Sequence, residues 1–81
     1  MLNEIRQILV RVGNLATPAE SLAEEADLYD AGLTSFASVQ LMLALEEVFD
    51  IEFPEHMLTR RTFASIGAIA RSIGELTPHE A

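Results

Sequence analysis

The chain has no cysteine and no lysine in its 81 residues. The first absence removes disulfides, thiolate metal sites and cysteine nucleophiles together. The second leaves five arginines, scattered at positions 6, 11, 60, 61 and 71, as its permanent side-chain cations. Long apolar runs are missing too. The longest, Leu41 to Leu45, falls far short of the roughly 20 residues that a bilayer-spanning helix needs. Met1-Leu2-Asn3-Glu4 is not a basic segment followed by an apolar stretch, so no secretory leader is expected. The expectation is a soluble, cytoplasmic protein without a membrane span.

What is present is acid. Thirteen Asp and Glu against five basic residues give a formal net charge of −8. Binding to nucleic acid or to anionic membrane requires clustered Lys and Arg, so both are set aside as partners. Proteins with basic docking surfaces are favoured instead. With 49% apolar residues the chain can fold. Residues 1–81 are expected to form one domain with one modest core. A domain of this size buries only roughly 60% of the surface its unfolded chain exposes, so its stability is marginal.

Ile5, Ile8, Leu9 and Val12 recur at the spacing of a one-sided helix, with Asn3 as a possible cap and Gly13 as a stop. Asn14 to Thr34 reads as a loop of about 20 residues, a length usually functional or weakly ordered. Within it Thr17-Pro18-Ala19-Glu20 has the form of a capping box, which suggests a short helical turn. A strong helical pattern follows from Ser35 to Asp50, broken at Glu52-Phe53-Pro54. Pro54 to Leu58 suggests another short turn. Thr62 then caps a last helix carrying Phe63, Ile66, Ile69, Ala70 and Ile73, which is expected to end near Gly74. Residues 75–81 read as a frayed polar tail. No segment alternates as a strand does, so the fold class is all-α: a small bundle of three to four helices with a long first loop.

The helix from Ser35 has two apolar faces. At about 100° per residue, Leu41, Met42, Leu45, Val48 and Phe49 share one arc, the core face. Phe36, Val39 and Leu43 form a second arc, headed by Ser35 and flanked by Gln40, Glu46 and Glu47. Leaving such side chains in water forfeits about 1.5–3 kcal/mol each. Either the long first loop folds over this stripe with Leu22, Leu28 and Leu33, or partners cover it in turn. Periodicity leaves both readings open. Ser35 is equally two-sided. Serine at a helix start is a routine cap, and Thr34 is as good a candidate. Yet Gly32 gives a tight turn just ahead, and a helix N-terminus suits an attached phosphate.

Two other chemistries fail on spacing. A serine nucleophile needs an adjacent base, and the histidines are His56, in a surface turn, and His79, in the tail. An EF-hand with Gly32 at its sixth position would begin at Asp27, but Tyr29, Ala31 and Ser38 then stand where ligands are required. The chain is therefore not expected to be an enzyme or to hold a metal.

Asp30-Ala31-Gly32-Leu33-Thr34-Ser35-Phe36 resembles the attachment motif of the acyl carrier protein family, which includes peptidyl carrier domains. That motif has Asp, Gly two positions on, and the modified Ser three after. Val39 to Asp50, with its Leu-Glu-Glu-x-Phe-Asp end, is similar to the family's second helix, and Thr62 to Ile66 to the start of its last. The resemblance implies 4′-phosphopantetheine joined from coenzyme A to Ser35 by a phosphopantetheinyl transferase, with cargo held as a thioester on the arm. Asp30, Gly32 and Thr34 would be motif positions. It also implies that Phe36, Val39, Leu43, Glu46 and Glu47 form the face for a cargo-loading ligase and downstream acyl-transfer enzymes. A monomer is the family expectation. Two departures matter: Thr34-Ser35-Phe36 stands where fatty acid carriers have Asp-Ser-Leu, and Val39 to Leu45 looks more like D-alanyl carriers. Aminoacyl cargo is therefore preferred to fatty acid or polyketide cargo. The alternative from another class is an unmodified acidic interaction module.

Overall fold

In the computed structural model, which describes residues 1–13 and 15–77, every regular element is helical. Helix α1 runs Leu2–Ile8 and continues as a wider π-helical stretch over Leu9–Gly13; α2 spans Ser35–Phe49 and α3 Ile66–Leu76. Short 3-10 turns at Ala19–Ser21 and Glu55–Met57 punctuate the connections. This is the all-α bundle with a long first loop that the periodicity implies, its fourth helix reduced to a turn.

Helix α1 packs against both α2 and α3. The core follows the apolar spacing: Ile5, Leu41, Leu45, Ile66, Ile69 and Ile73 are fully buried. Phe53 and Phe63 add an edge-to-face aromatic pair with centroids 5.3 Å apart. Val12 is only half-buried, because the π stretch winds more slowly than an α-helix and turns it off the buried face.

The long first loop is ordered by what it buries and by what holds its backbone. Leu28 and Leu33 lie in the core, and Leu22 is half-buried against it. Arg6 donates from Nη1 to the carbonyls of Ala19, 2.7 Å, and Leu22, 2.8 Å. The Leu28 N–H donates to the Ala64 carbonyl and the Gly67 N–H to the Glu24 carbonyl, at 2.7 and 2.8 Å. These leucines therefore fill the core and leave the second stripe of α2 uncovered.

Several boundaries differ from the pattern reading. Met1 occupies the cap of α1 and Asn3 lies inside its first turn. Pro18, not Thr17, stands at the cap of the first 3-10 turn, without a side-chain bond. Helix α3 is capped by Ser65, whose hydroxyl accepts from the Ala68 N–H at 3.0 Å. Thr62 lies one turn too early, and its hydroxyl instead meets that of Thr59 at 3.2 Å. The helix also passes Gly74 to reach Leu76, so Glu75 is helical; residues 78–81 of the expected tail lie outside the described residues.

Gly74 therefore sits in a helix, in open space, with nothing within 4 Å of an added Cβ. Gly74→Ala is expected to stabilise the protein by about 0.5–1 kcal/mol through reduced freedom of the unfolded chain. A higher urea midpoint at unchanged slope would register it.

Candidate functional site

The site begins with a turn that Asp27 builds. Its Oδ1 accepts from the N–H groups of Tyr29, 2.8 Å, and Asp30, 3.4 Å. The Ala31 N–H donates to the Asp27 carbonyl, and that of Gly32 to the Tyr29 carbonyl. Gly32 has φ +114°, and a Cβ there would stand 3.1 Å from the Ala16 backbone nitrogen. Only glycine fits that backbone and that approach. Leu33, buried beyond it, anchors the chain as it leaves the turn. Asp30 is exposed on the turn. Spacing alone presents Asp27 only as a calcium ligand that fails; a short acid placed two residues before the amide it accepts from is the sequence signal of this turn.

Thr34 resolves the choice of cap. It is extended at φ −93°, and its Oγ1 accepts from the Ala37 N–H at 3.0 Å. Ser35, the first residue of α2, is exposed and has no share in that bond. Its carbonyl accepts from the Ser38 hydroxyl at 2.8 Å. Its own hydroxyl thus stands at the positive end of a 15-residue helix, open to solvent and free of the capping role.

The two arcs of α2 separate as core and surface. Ala37, Leu41 and Leu45 are buried, whereas Phe36, Val39 and Leu43 are 72%, 52% and 54% exposed. Val48 departs from its expected core position and is 50% exposed, because the core arc has rotated away by the end of the helix. Below Val39, an open groove of about 220 Å³ is lined by Ser38, Val39, Met42, Leu58 and Phe63.

Glu46 and Glu47 are adjacent and do different things. Glu46 is half-buried, and its Oε2 accepts from the Phe53 N–H at 2.8 Å. Its carbonyl also takes the N–H groups of Asp50, left-handed at φ +54°, and Ile51. Glu46 therefore shapes the exit from α2, and Glu47 is the exposed acid of the pair. Glu46→Ala is expected to cost about 1–3 kcal/mol by leaving the Phe53 N–H without its partner, whereas Glu47→Ala leaves the urea midpoint nearly unchanged. Of the histidines, His56 is exposed on the second 3-10 turn and His79 lies outside the described residues.

A small helical scaffold with one free hydroxyl at a helix mouth and an apolar face beside it defines a carrier. The chain belongs to the family described as phosphopantetheine attachment site, which it matches over residues 3–73. It is 61% identical to the aminoacyl carrier protein of Agrobacterium fabrum over 69 residues, 85% of this chain and 83% of that one. To the acyl carrier protein of Wolinella succinogenes it is 32% identical over 73 residues, 90% and 92% of the two chains. Among solved structures it resembles the crystal structure of an engineered Bradyrhizobium japonicum glycine:carrier protein ligase complexed with carrier protein from Agrobacterium tumefaciens and AMP. There the TM-score is 0.89 at 58% identity, over 91% of this chain and 99% of the matched one. The holo acyl carrier protein of Nitrosomonas europaea gives a TM-score of 0.80 at 30% identity, covering 91% and 92%.

The cofactor is accordingly 4′-phosphopantetheine, and the residues present fit it. A phosphodiester needs an accessible hydroxyl that can be derivatised without unmaking the fold, and a setting that tolerates another anion on a chain already at −8. The mouth of α2 meets both needs. No helix among the described residues is long and apolar enough to cross a membrane.

Proposed function

We propose that Ser35 carries the phosphopantetheine arm and that the protein presents an amino acid, with glycine the first to test, to partner enzymes. The observation that carries this reading is the division between two neighbouring hydroxyls: Thr34 caps α2, and Ser35 is left exposed at its mouth. When attached, the arm supplies a terminal thiol, chemistry that this cysteine-free chain lacks. The chain's own residues do the rest. Asp27 and Gly32 aim the turn, Thr34 fixes the helix start, and Phe36, Val39, Leu43 and Glu47 offer the face that partners cover. Those partners are a phosphopantetheinyl transferase, a loading ligase and downstream acyl-transfer enzymes. In this reading the protein is a cytoplasmic, monomeric carrier that leaves the chemistry to its partner enzymes.

Aminoacyl cargo is supported by the 61% identical aminoacyl carrier protein and by the likeness to the carrier held by a glycine:carrier protein ligase. The test has two stages. Apo-protein incubated with coenzyme A and a broad transferase should gain one arm per chain by intact mass. The product, given ATP, glycine and the ligase, should then gain one glycyl group that hydroxylamine releases. Failure at the first stage removes the carrier reading; failure at the second, with glycine and with other amino acids, removes the cargo reading alone.

A further inference from the structure

Asp27 closes the turn that delivers Ser35, but bonds inside a turn do not fix where it stands on the bundle. On one side the Ala16 N–H donates to the Ala31 carbonyl at 2.9 Å. On the other, the segment from Glu24 to Tyr29 is tied to the chain around the start of α3. The Glu24 carbonyl accepts from the Gly67 N–H, and Glu25 pairs with Arg71 at 3.1 Å. The Leu28 N–H donates to the Ala64 carbonyl at 2.7 Å, and the Tyr29 ring receives Arg60. Residues 24 and 25 thus meet 67 and 71, whereas 28 and 29 meet 64 and 60, so the two segments run in opposite directions. The Tyr29 tie stands at the end nearer Ser35. Its guanidinium carbon lies 3.8 Å from the ring centroid, a cation laid on an aromatic face. Arg60 forms no ion pair among the described residues, although acids outnumber bases 13 to 5. Tyr29 is itself part of the turn, since its N–H donates to Asp27 and its carbonyl accepts from Gly32.

We propose that Tyr29 and Arg60 are positioning residues for attachment of the arm: the stacked pair holds the Asp27 turn in the setting from which Ser35 meets coenzyme A on the transferase. In that step the Ser35 oxygen bonds to the phosphorus that carries pantetheine, and the pyrophosphate P–O bond breaks. Adenosine 3′,5′-bisphosphate departs, and the hydroxyl proton passes to a base of the transferase. Neither Tyr29 nor Arg60 touches the reacting atoms. They act on the rate by keeping the serine in line, and a displacement of about 1 Å can cost such a step about 100-fold. Their role rests on Ser35 as the tether and adds to it what aims the serine.

The test follows arm transfer to the full-length apo-protein, with coenzyme A and a broad transferase, at a temperature where circular dichroism shows every variant folded. Arg60 is exposed, so Arg60→Ala keeps the fold. Arg60→Ala and Tyr29→Leu should each lower kcat about tenfold, with KM for the carrier within about twofold and an end point of one arm per chain. Tyr29→Phe keeps the ring face and should restore kcat to within about twofold of wild type. The double variant should be no slower than the slower single one, because both lose the same contact. Arg71→Ala removes a tie at the far end of the row, between side chains 64% and 61% exposed, and should change neither constant. An unchanged kcat for Arg60→Ala overturns the proposal. So does a raised KM at constant kcat in Arg60→Ala alone, which would place Arg60 against the transferase or coenzyme A. Losses that add in the double variant, or an Arg71→Ala as slow as Arg60→Ala, overturn it as well, leaving only a general stiffening of the loop. Wild-type protein that never gains an arm removes the tether reading itself, a result distinct from all of these.

Discussion

Ser35→Ala is expected to fold as the wild type does and to stay bare. Its side chain is exposed, and the cap of α2 is made by Thr34, so its stability should stay within about 0.5 kcal/mol of the parent. Incubated with coenzyme A and the transferase, it should gain no arm at any enzyme concentration, a complete loss against one arm per wild-type chain. Thr34→Ala gives the mirror image. It loses the acceptor for the Ala37 N–H and about 1 kcal/mol of stability, while its folded fraction still takes up the arm. Urea melts and intact masses of the two variants therefore cross. An arm on Ser35→Ala, or a Ser35→Ala chain as destabilised as Thr34→Ala, would relocate the tether or restore Ser35 as a cap.

The second large effect separates two residues of one helix. Leu41 is fully buried in the core, and Leu41→Ala should cost about 2–5 kcal/mol in lost transfer and cavity terms. A chain of this length has only about 4–12 kcal/mol in all, at 0.05–0.15 per residue. Leu41→Ala should therefore lose much of its cooperative melt and, with it, its competence for modification. Phe36→Ala, at a position 72% exposed, should melt with the wild type and, given enough transferase, still reach one arm per chain. Its defect should appear in loading, as a rise of about tenfold in the ligase KM, the size expected when an aromatic anchor leaves an interface. A normal KM for Phe36→Ala would move the docking face elsewhere.

Much of this architecture was legible in the residues. The one-sided spacing of Ile5, Ile8 and Leu9, the helix of Ser35–Phe49 and the break at Pro54 reflect local rules, and the structure follows them. The motif around Ser35 stood out because Gly32 and a helix start coincide there. What escaped was decided by tertiary partners. Thr62 and Ser65 are equally good caps on paper, and a hydroxyl pairing with Thr59 directed the helix to Ser65. Leu28 and Leu33 fitted either the core or the second stripe, and only the bonds of Leu28 to Ala64 and of Arg6 to the loop sent them inward. Glu46 looked like its neighbour until the Phe53 amide reached it. The stacking of the Arg60 guanidinium on Tyr29 follows no local pattern, since the ring lies 31 positions away in the chain.

Because the group that secures the helix and the group proposed to bear the load are separate atoms on consecutive residues, whatever hangs from Ser35 would be mechanically uncoupled from what keeps the chain folded. Empty, armed and charged forms should melt almost alike. An enzyme that must tell a full carrier from an empty one would then have to inspect the freight itself, because the vehicle gives no sign of it.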